Sequence, residues 1–333
     1  MNNSIQQTLL TTRPFKYLTH EEIDLIVIYC EIVNFKAHEL ILQQGQKNNR
    51  LYIILTGCVQ MSAQVLGYGR VSFTHLNAGK FVGAESLIEN EVSMSTVIAE
   101  TETECFVMTQ EYFHMLSLFL PEISFKITTA IIENVSHDLD IIFSKIKAYM
   151  HESDMGSSWF NLDEVSRSYV TPKSIKFIES KIKKDELFQL ENLKSFTKKE
   201  FNTLLDLASV IEVDRDRTLI AENKKKDAYY IIVQGAIEAS IMQNKKRAKV
   251  AILGPGEILG DICYLDQCPS VIHHTTRERV ILLEFTAQDL ESLRQNHILI
   301  WYKFYNLIGK SFIAMEKSAD KLFIRFNSEN YNR

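Results

Sequence analysis

The chain carries one unit twice, and this feature limits its fold more than any other. The segment "LYIILTGCVQMS" from Leu51 returns as "YYIIVQGAIEAS" from Tyr229, which sets Gly57 and Gly235 in register 178 residues apart. "LTHEEIDLIV" from Leu18 meets "FTKKEFNTLL" from Phe196 at the same spacing. In each, a Thr is followed three residues later by a Glu (Thr19 with Glu22, Thr197 with Glu200), the capping box that opens a helix. Further on, "LNAGKFVG" from Leu76 meets "LGPGEILG" from Leu253 at 177, so one hairpin of the second copy should be a residue shorter.

Between these anchors lie short β-branched and aromatic runs, such as Ile53-Ile54-Leu55 and Val97-Ile98, cut by Gly, Asn and Lys at turn spacing. That texture predicts an α+β chain of two tandem antiparallel β-rolls, jelly-roll-like, each flanked by helices. A long closing helix follows each roll. Its apolar residues step by four and three: Ile132, Val135, Leu139, Ile142, Ile146 and Tyr149 in the first, Ile308, Phe312, Met315, Ala319, Leu322 and Phe326 in the second. Such a stripe either packs on its own roll or pairs between rolls or chains. Ile132, Val135, Leu139, Ile142, Ile308, Phe312, Met315 and Leu322 are therefore the candidate interface. The expected organisation is a first domain over 1–150, a linker with a helix over 151–186, and a second domain over 187–333. The linker proper is "HESDMGSSWFNLDE", and Thr171-Pro172 reads as the cap and first residue of a Lys-rich helix.

Composition narrows the function. A formal net charge of -5 leaves no broad basic face for DNA, and no apolar run is long enough to span a membrane. The N-terminus lacks the pattern of a secretory signal. Five scattered cysteines without a CxxC suit reduced thiols in a cytoplasmic protein.

A capped helix, a hairpin ending in hydrophobic-Gly, a G-x-F-x-G-like turn with a helical turn after it, an extended strand and a closing helix, in that order and twice, resemble the cyclic nucleotide-binding domain in tandem. The resemblance covers about residues 14 to 150 and 187 to 326. It implies a phosphate-binding cassette of the form G-E-x-A-L, a loop, then P-R-x-A-T. In that family the Glu holds the ribose 2′-hydroxyl, the Arg pairs with the cyclic phosphate, and amides of the short helix complete the cradle.

Both cassettes depart from this pattern. In the first, Gly83 matches the glycine, Ala84 stands at the Glu position, Glu85 comes one place late, and Ser93, with the apolar Met94 next to it, stands where the Arg should be. In the second, Gly260 matches, Asp261 keeps a shorter carboxylate, Ile262 and Cys263 continue the turn, and Pro269-Ser270 replaces Pro-Arg with the apolar Val271 next to it. An Arg–phosphate fork is two charge-assisted hydrogen bonds of about 1.5 to 3 kcal/mol each. With about 1.4 kcal/mol per tenfold, losing it weakens a site on the order of a hundredfold or more. The resemblance therefore implies no cyclic AMP bound in the usual mode and no other cofactor. Gly260, Asp261, Ile262, Cys263, Ser270 and Val271 remain a candidate site for a neutral nucleoside, whereas Gly83, Ala84, Glu85, Ser93 and Met94 read as a vestigial cradle.

A cation could still arrive from Arg277 or Arg279 on the strand after the second cassette, or from Arg70 on a hairpin of the first roll. The lysine runs 224–226 and 245–249 read as solvated hairpin tips, or as a surface for an anionic partner. His273-His274 cannot chelate one ion together, because neighbours on a strand point to opposite faces. Cys263 and Cys268 lack a neighbouring base or an electropositive setting, and no catalytic motif emerges.

The leading expectation is a non-enzymatic regulatory or adaptor protein that works through a protein partner or a homodimer. The alternative is a sensor binding a nucleoside, a cyclic dinucleotide or an atypical cyclic nucleotide in the second domain. In relatives the closing helix passes its motion to an attached kinase, channel or DNA-binding unit. No helix-turn-helix follows Phe326 and no Arg-Arg pseudosubstrate stands near the N-terminus, so output is expected to leave through a surface.

Overall fold

The computed structural model describes residues 9, 15–65, 69–85, 92–152, 172–180, 182–222, 228–243, 246–260 and 272–330. Its contacts divide the chain into two compact units, Met1–Leu139 with Phe312–Arg333, and Asp140–Ser311.

The first unit opens with α1 (His20–Val27), whose capping box is present as read: Thr19 accepts from the Glu22 amide while Glu22 accepts from the Thr19 amide. Eight strands follow: β1 (Glu31–Phe35), β2 (Leu40–Leu42), β3 (Arg50–Thr56), β4 (Cys58–Val65), β5 (Gly69–Asn77), β6 (Phe81–Val82), β7 (Thr96–Ala99) and β8 (Thr103–Thr109). Then come α2 (Gln110–Phe119) and α3 (Pro121–Glu152). The strands form two four-stranded antiparallel sheets, ordered β1-β8-β3-β6 and β2-β7-β4-β5. Their facing residues, among them Tyr52, Ile54, Val59, Val97, Ala99 and Val107, make the core. β3 is buried on both faces, because its alternate residues Leu51 and Ile53 are covered as well. That explains a continuous apolar run where a half-exposed strand would alternate.

The second unit repeats the plan. β9 (Lys173–Ser174), α4 (Lys184–Phe188) and α5 (Lys198–Leu207), the last with its Thr197–Glu200 capping box, lead into the strands. These are β10 (Ser209–Val213), β11 (Thr218–Ile220), β12 (Ala228–Gln234), β13 (Ile237–Gln243), β14 (Lys246–Leu253), β15 (Ile258–Gly260), β16 (His273–Thr276) and β17 (Val280–Thr286). α6 (Ala287–Asn296) and α7 (Ile298–Asn330) close the chain. The sheets run β15-β12-β17-β10-β9 and β11-β16-β13-β14. The early part of α7 seals the roll through Phe304 against Phe285 at 4.9 Å between ring centroids, with Trp301 and Tyr305 beside it. A jelly-roll-like α+β tandem is the observed class.

The register confirms the shortened hairpin. In the first roll Val65 pairs with Gly69, three residues lying between them, whereas in the second Gln243 pairs with Lys246 with two between. Gly57 and Gly235 hold φ of 90° and 92°. A Cβ on Gly57 would lie 2.4 Å from the Glu102 carbonyl oxygen, and one on Gly235 would lie 2.7 Å from that of Arg279. Only glycine fits such a bend.

One local reading is corrected. After Pro172 the chain forms no Lys-rich helix; Lys173–Ser174 pairs with the edge of β10, and the Ile175 amide donates to the Val210 carbonyl at 2.9 Å. A single 3-10 turn follows over Phe177–Ser180, and α-helix resumes only at Lys184. An open strand edge outweighs the helix signal of one N1 proline. The Ser- and Asp-rich part of the linker, from Ser153 to Thr171, lies outside the described residues.

Ile132, Val135, Leu139, Ile308 and Phe312 are buried, and Ile142, Met315 and Leu322 are half-buried.

Candidate functional site: two altered cradles

In the first roll the cradle begins where β6 ends. Gly83 has φ +82°, and a Cβ there would lie 2.6 Å from Asn48 Nδ2 and 2.7 Å from the Arg50 carbonyl oxygen, so the glycine is required by the approach of the β3 entry. Ala84, at the Glu position, is buried, and Glu85 is half-buried. Ser93, at the Arg position, is 1% exposed, and its hydroxyl donates to the Ser95 carbonyl at 2.9 Å. Its amide donates to Gln46 and its carbonyl accepts from Gly45, so both backbone groups hold the loop to the 45–46 turn. Ser93 thus closes a turn. Met94 beside it is half-buried.

Electrostatics set this cradle further from a phosphate. Lys80, immediately before β6, forms an ion pair with Asp138 of α3 at 2.5 Å. Glu316, on the part of α7 that belongs to this unit, has its carboxyl held well above the usual carboxylate range. Burial is the main cause, followed by the charges of Asp320, Asp138 and Glu85, while Lys80 opposes them. Lys80 is thus already committed to Asp138.

In the second roll Gly260 ends β15 against the ring of Tyr229, to which a Cβ would approach within 2.1 Å. Asp261, Ile262, Cys263, Ser270 and Val271 lie outside the described residues. The strand that follows them, β16, is unusually polar for its burial. Thr275 faces Thr218 on one side and Glu238 on the other, and His273 faces Ser240. The side-chain oxygens of Thr218, Ser240 and Thr275, and Nδ1 of His274, are buried without a hydrogen-bond partner among the described residues. His274 is pushed down from 6.5 to about 4, by burial first and by His273 second. His273 is half-buried with Nε2 3.6 Å from Glu222, whose other oxygen takes Lys147 Nζ at 2.5 Å. The two histidines stand on opposite faces of β16, as the strand period requires.

The arginines that could have supplied a cation are engaged elsewhere. Arg277 donates to Glu238 Oε2 from Nε at 2.8 Å and Nη2 at 2.5 Å, and Arg247 pairs with the same carboxylate through Oε1. Arg279 pairs with Glu212. Arg70 is exposed at the start of β5, opposite Gln64. Sequence reasoning named these arginines but not their acidic partners, and it missed Glu316 and Asp138 entirely.

The fold is a tandem of antiparallel β-rolls, each followed by helices. The family model of the cyclic nucleotide-binding domain matches residues 32–117 and 210–297, more than half of the 333 residues. The chain belongs to the cyclic nucleotide-binding domain family. No curated protein matches it. Among solved structures it is similar to the regulatory domain of Toxoplasma gondii PKA with cAMP, at 12% identity over 95% of each chain and a TM-score of 0.31. It is also similar to the regulatory subunit of a cAMP-independent protein kinase A from Trypanosoma cruzi bound to guanosine, at 16% identity over 92% of this chain and 91% of that one, TM-score 0.31. A cyclic nucleotide-binding domain from Methylobacillus flagellatus matches 41% of this chain and 83% of its own at 19% identity, TM-score 0.38. No helix of the described residues is long and apolar enough to cross a membrane.

Proposed function

We propose that this chain is a non-enzymatic regulatory or adaptor protein of the cytoplasm, acting through a protein partner or a second copy, whose first domain does not answer to a cyclic phosphate. One observation carries the reading. Ser93 fills the cation position as a buried turn residue, and the nearby ammonium of Lys80 is already paired with Asp138. A cyclic phosphodiester there would lose a pairing worth on the order of a hundredfold in affinity. Calorimetry of the full chain with cyclic AMP and cyclic GMP tests it. No saturable heat at millimolar nucleotide is expected, and micromolar binding of either would overturn it.

A second reading concerns the second roll alone, as a sensor of a nucleoside, a cyclic dinucleotide or an atypical cyclic nucleotide. It is favoured by the retained carboxylate Asp261 and by the buried hydroxyls of Thr218, Ser240 and Thr275, which offer neutral hydrogen bonds and no fixed cation. A compound that raises Tm by several degrees in wild type but not in Asp261→Ala would establish it.

A further inference from the structure

Away from both cradles, three side chains of metal-ligating type converge on the outer face of the first roll. Cys58 opens β4, His75 lies on β5, and Glu100 directly follows β7. β4 lies between β5 and β7 in the sheet, so three neighbouring strands each deliver one ligand type. Cys58 alternates with the buried Val59, and Gln60, on the same face as Cys58, is directly opposite His75. The backbone fixes the arrangement: the Glu100 amide donates to the Cys58 carbonyl at 2.8 Å, and the Cys58 amide donates to Thr101 Oγ1 at 3.0 Å.

The Cys58 thiol donates to Glu100 Oε2 at 3.3 Å, and His75 Nδ1 stands 2.9 Å from the same oxygen. One ligand atom from each residue lies within 4.8 Å of the other two. A further imidazole, His38, sits on the turn between β1 and β2, tied to the sheet by its amide donating to the Ala99 carbonyl at 2.7 Å.

We infer that Cys58, His75 and Glu100 form a surface site for a thiophilic divalent cation, Zn²⁺ above all, with His38 or water completing four ligands. Sulfur, imidazole nitrogen and carboxylate oxygen are the zinc donor set, and a soft thiolate with an imidazole discriminates against Ca²⁺ and Mg²⁺. With metal–ligand bonds of about 2.0 to 2.3 Å, ligand atoms on a tetrahedron stand roughly 3.3 to 3.8 Å apart. The two closest contacts need to open by well under an ångström. On binding, the thiol proton leaves to solvent, and the imidazole keeps its remaining proton on Nε2 while Nδ1 takes the metal. Neither cradle takes part, so the site is independent of what the rolls bind.

Cobalt(II) is the probe. Added to the reduced full chain, it should give one equivalent of a thiolate-to-cobalt charge-transfer band that zinc displaces. Cys58→Ser should abolish the band, and His75→Ala should weaken binding at least about tenfold. Cys30 and Cys105 supply little background, since burial pushes both thiols up to about 12. On the unaltered protein, zinc should also slow alkylation of Cys58, read by peptide mass. A band that survives in Cys58→Ser, or a Cys58 alkylation rate that zinc leaves unchanged, would sink the assignment.

Discussion

His274 stands in the second roll where Val97 stands in the first. Val97 pairs with Leu42 and Met61, and His274 pairs with Ile220 and Ala239, the same places on equivalent strands. A duplicated core position has exchanged a β-branched apolar side chain for an imidazole that burial keeps neutral.

The pH dependence of the fold follows from that exchange. His274 titrates at about 4 when folded, against 6.5 as its ordinary value. The unfolded chain therefore binds a proton that the folded chain refuses, and stability falls as pH drops from 6.5 toward 4. The full loss is on the order of 3 kcal/mol. His274→Val should flatten this acid limb in urea titrations taken at successive pH values. An unchanged slope would show that another group governs it.

Glu316 acts in the opposite direction. Its raised folded value means that the folded chain holds a proton the unfolded chain gives up above 4.5, so stability declines as pH rises past that value. Burial, Asp320, Asp138 and Glu85 drive the shift, and Lys80 limits it. Glu316→Gln should raise Tm near neutral pH and remove the decline, as measured by calorimetry across pH. The same variant should leave cyclic AMP unbound, because the Ser93 position still lacks a cation.

Glu238 is 5% exposed in its side chain and answers both Arg247, at 14%, and Arg277, at 37%. Glu238→Ala removes the buried carboxylate that both guanidinium groups share and should cost about 3 to 5 kcal/mol. Arg277→Ala leaves the Glu238–Arg247 pair intact and should cost clearly less. Chemical denaturation of the two variants side by side orders them, and equal losses would contradict this hierarchy.

Ile308 and Phe312 are 1% and 5% exposed within a single chain. Alanine at either should destabilise by about 2 to 5 kcal/mol through the cavity it leaves. Sizing chromatography should show no change of mass, because a side chain already covered has no partner copy to lose. A smaller species would return these residues to an intermolecular role.

What was legible in the sequence was what neighbours in the chain decide. Thr19 with Glu22 and Thr197 with Glu200 announced their helices because a capping box closes within four residues. The missing turn residue was readable because the offset between the copies drops by one. The cassette substitutions at Ala84 and Ser93 were equally plain once the copies were aligned. Hidden were the relations that only strand order or helix placement creates. Cys58, His75 and Glu100 look unrelated until β4 is seen to pair with both β5 and β7. Glu316 gives no local hint that it is held near Glu85 and Asp138. Arg277 could have turned toward the cradle; Glu238, the one acid on β13, took it instead.

The bends at Gly57 and Gly235 carry a lesson about inheritance. At each, a carbonyl oxygen of the chain itself occupies the space a side chain would need, so selection for folding alone suffices to keep glycine there. Ancestry can thus stay written in a protein's hinges long after the chemistry that first justified the architecture has been released to drift.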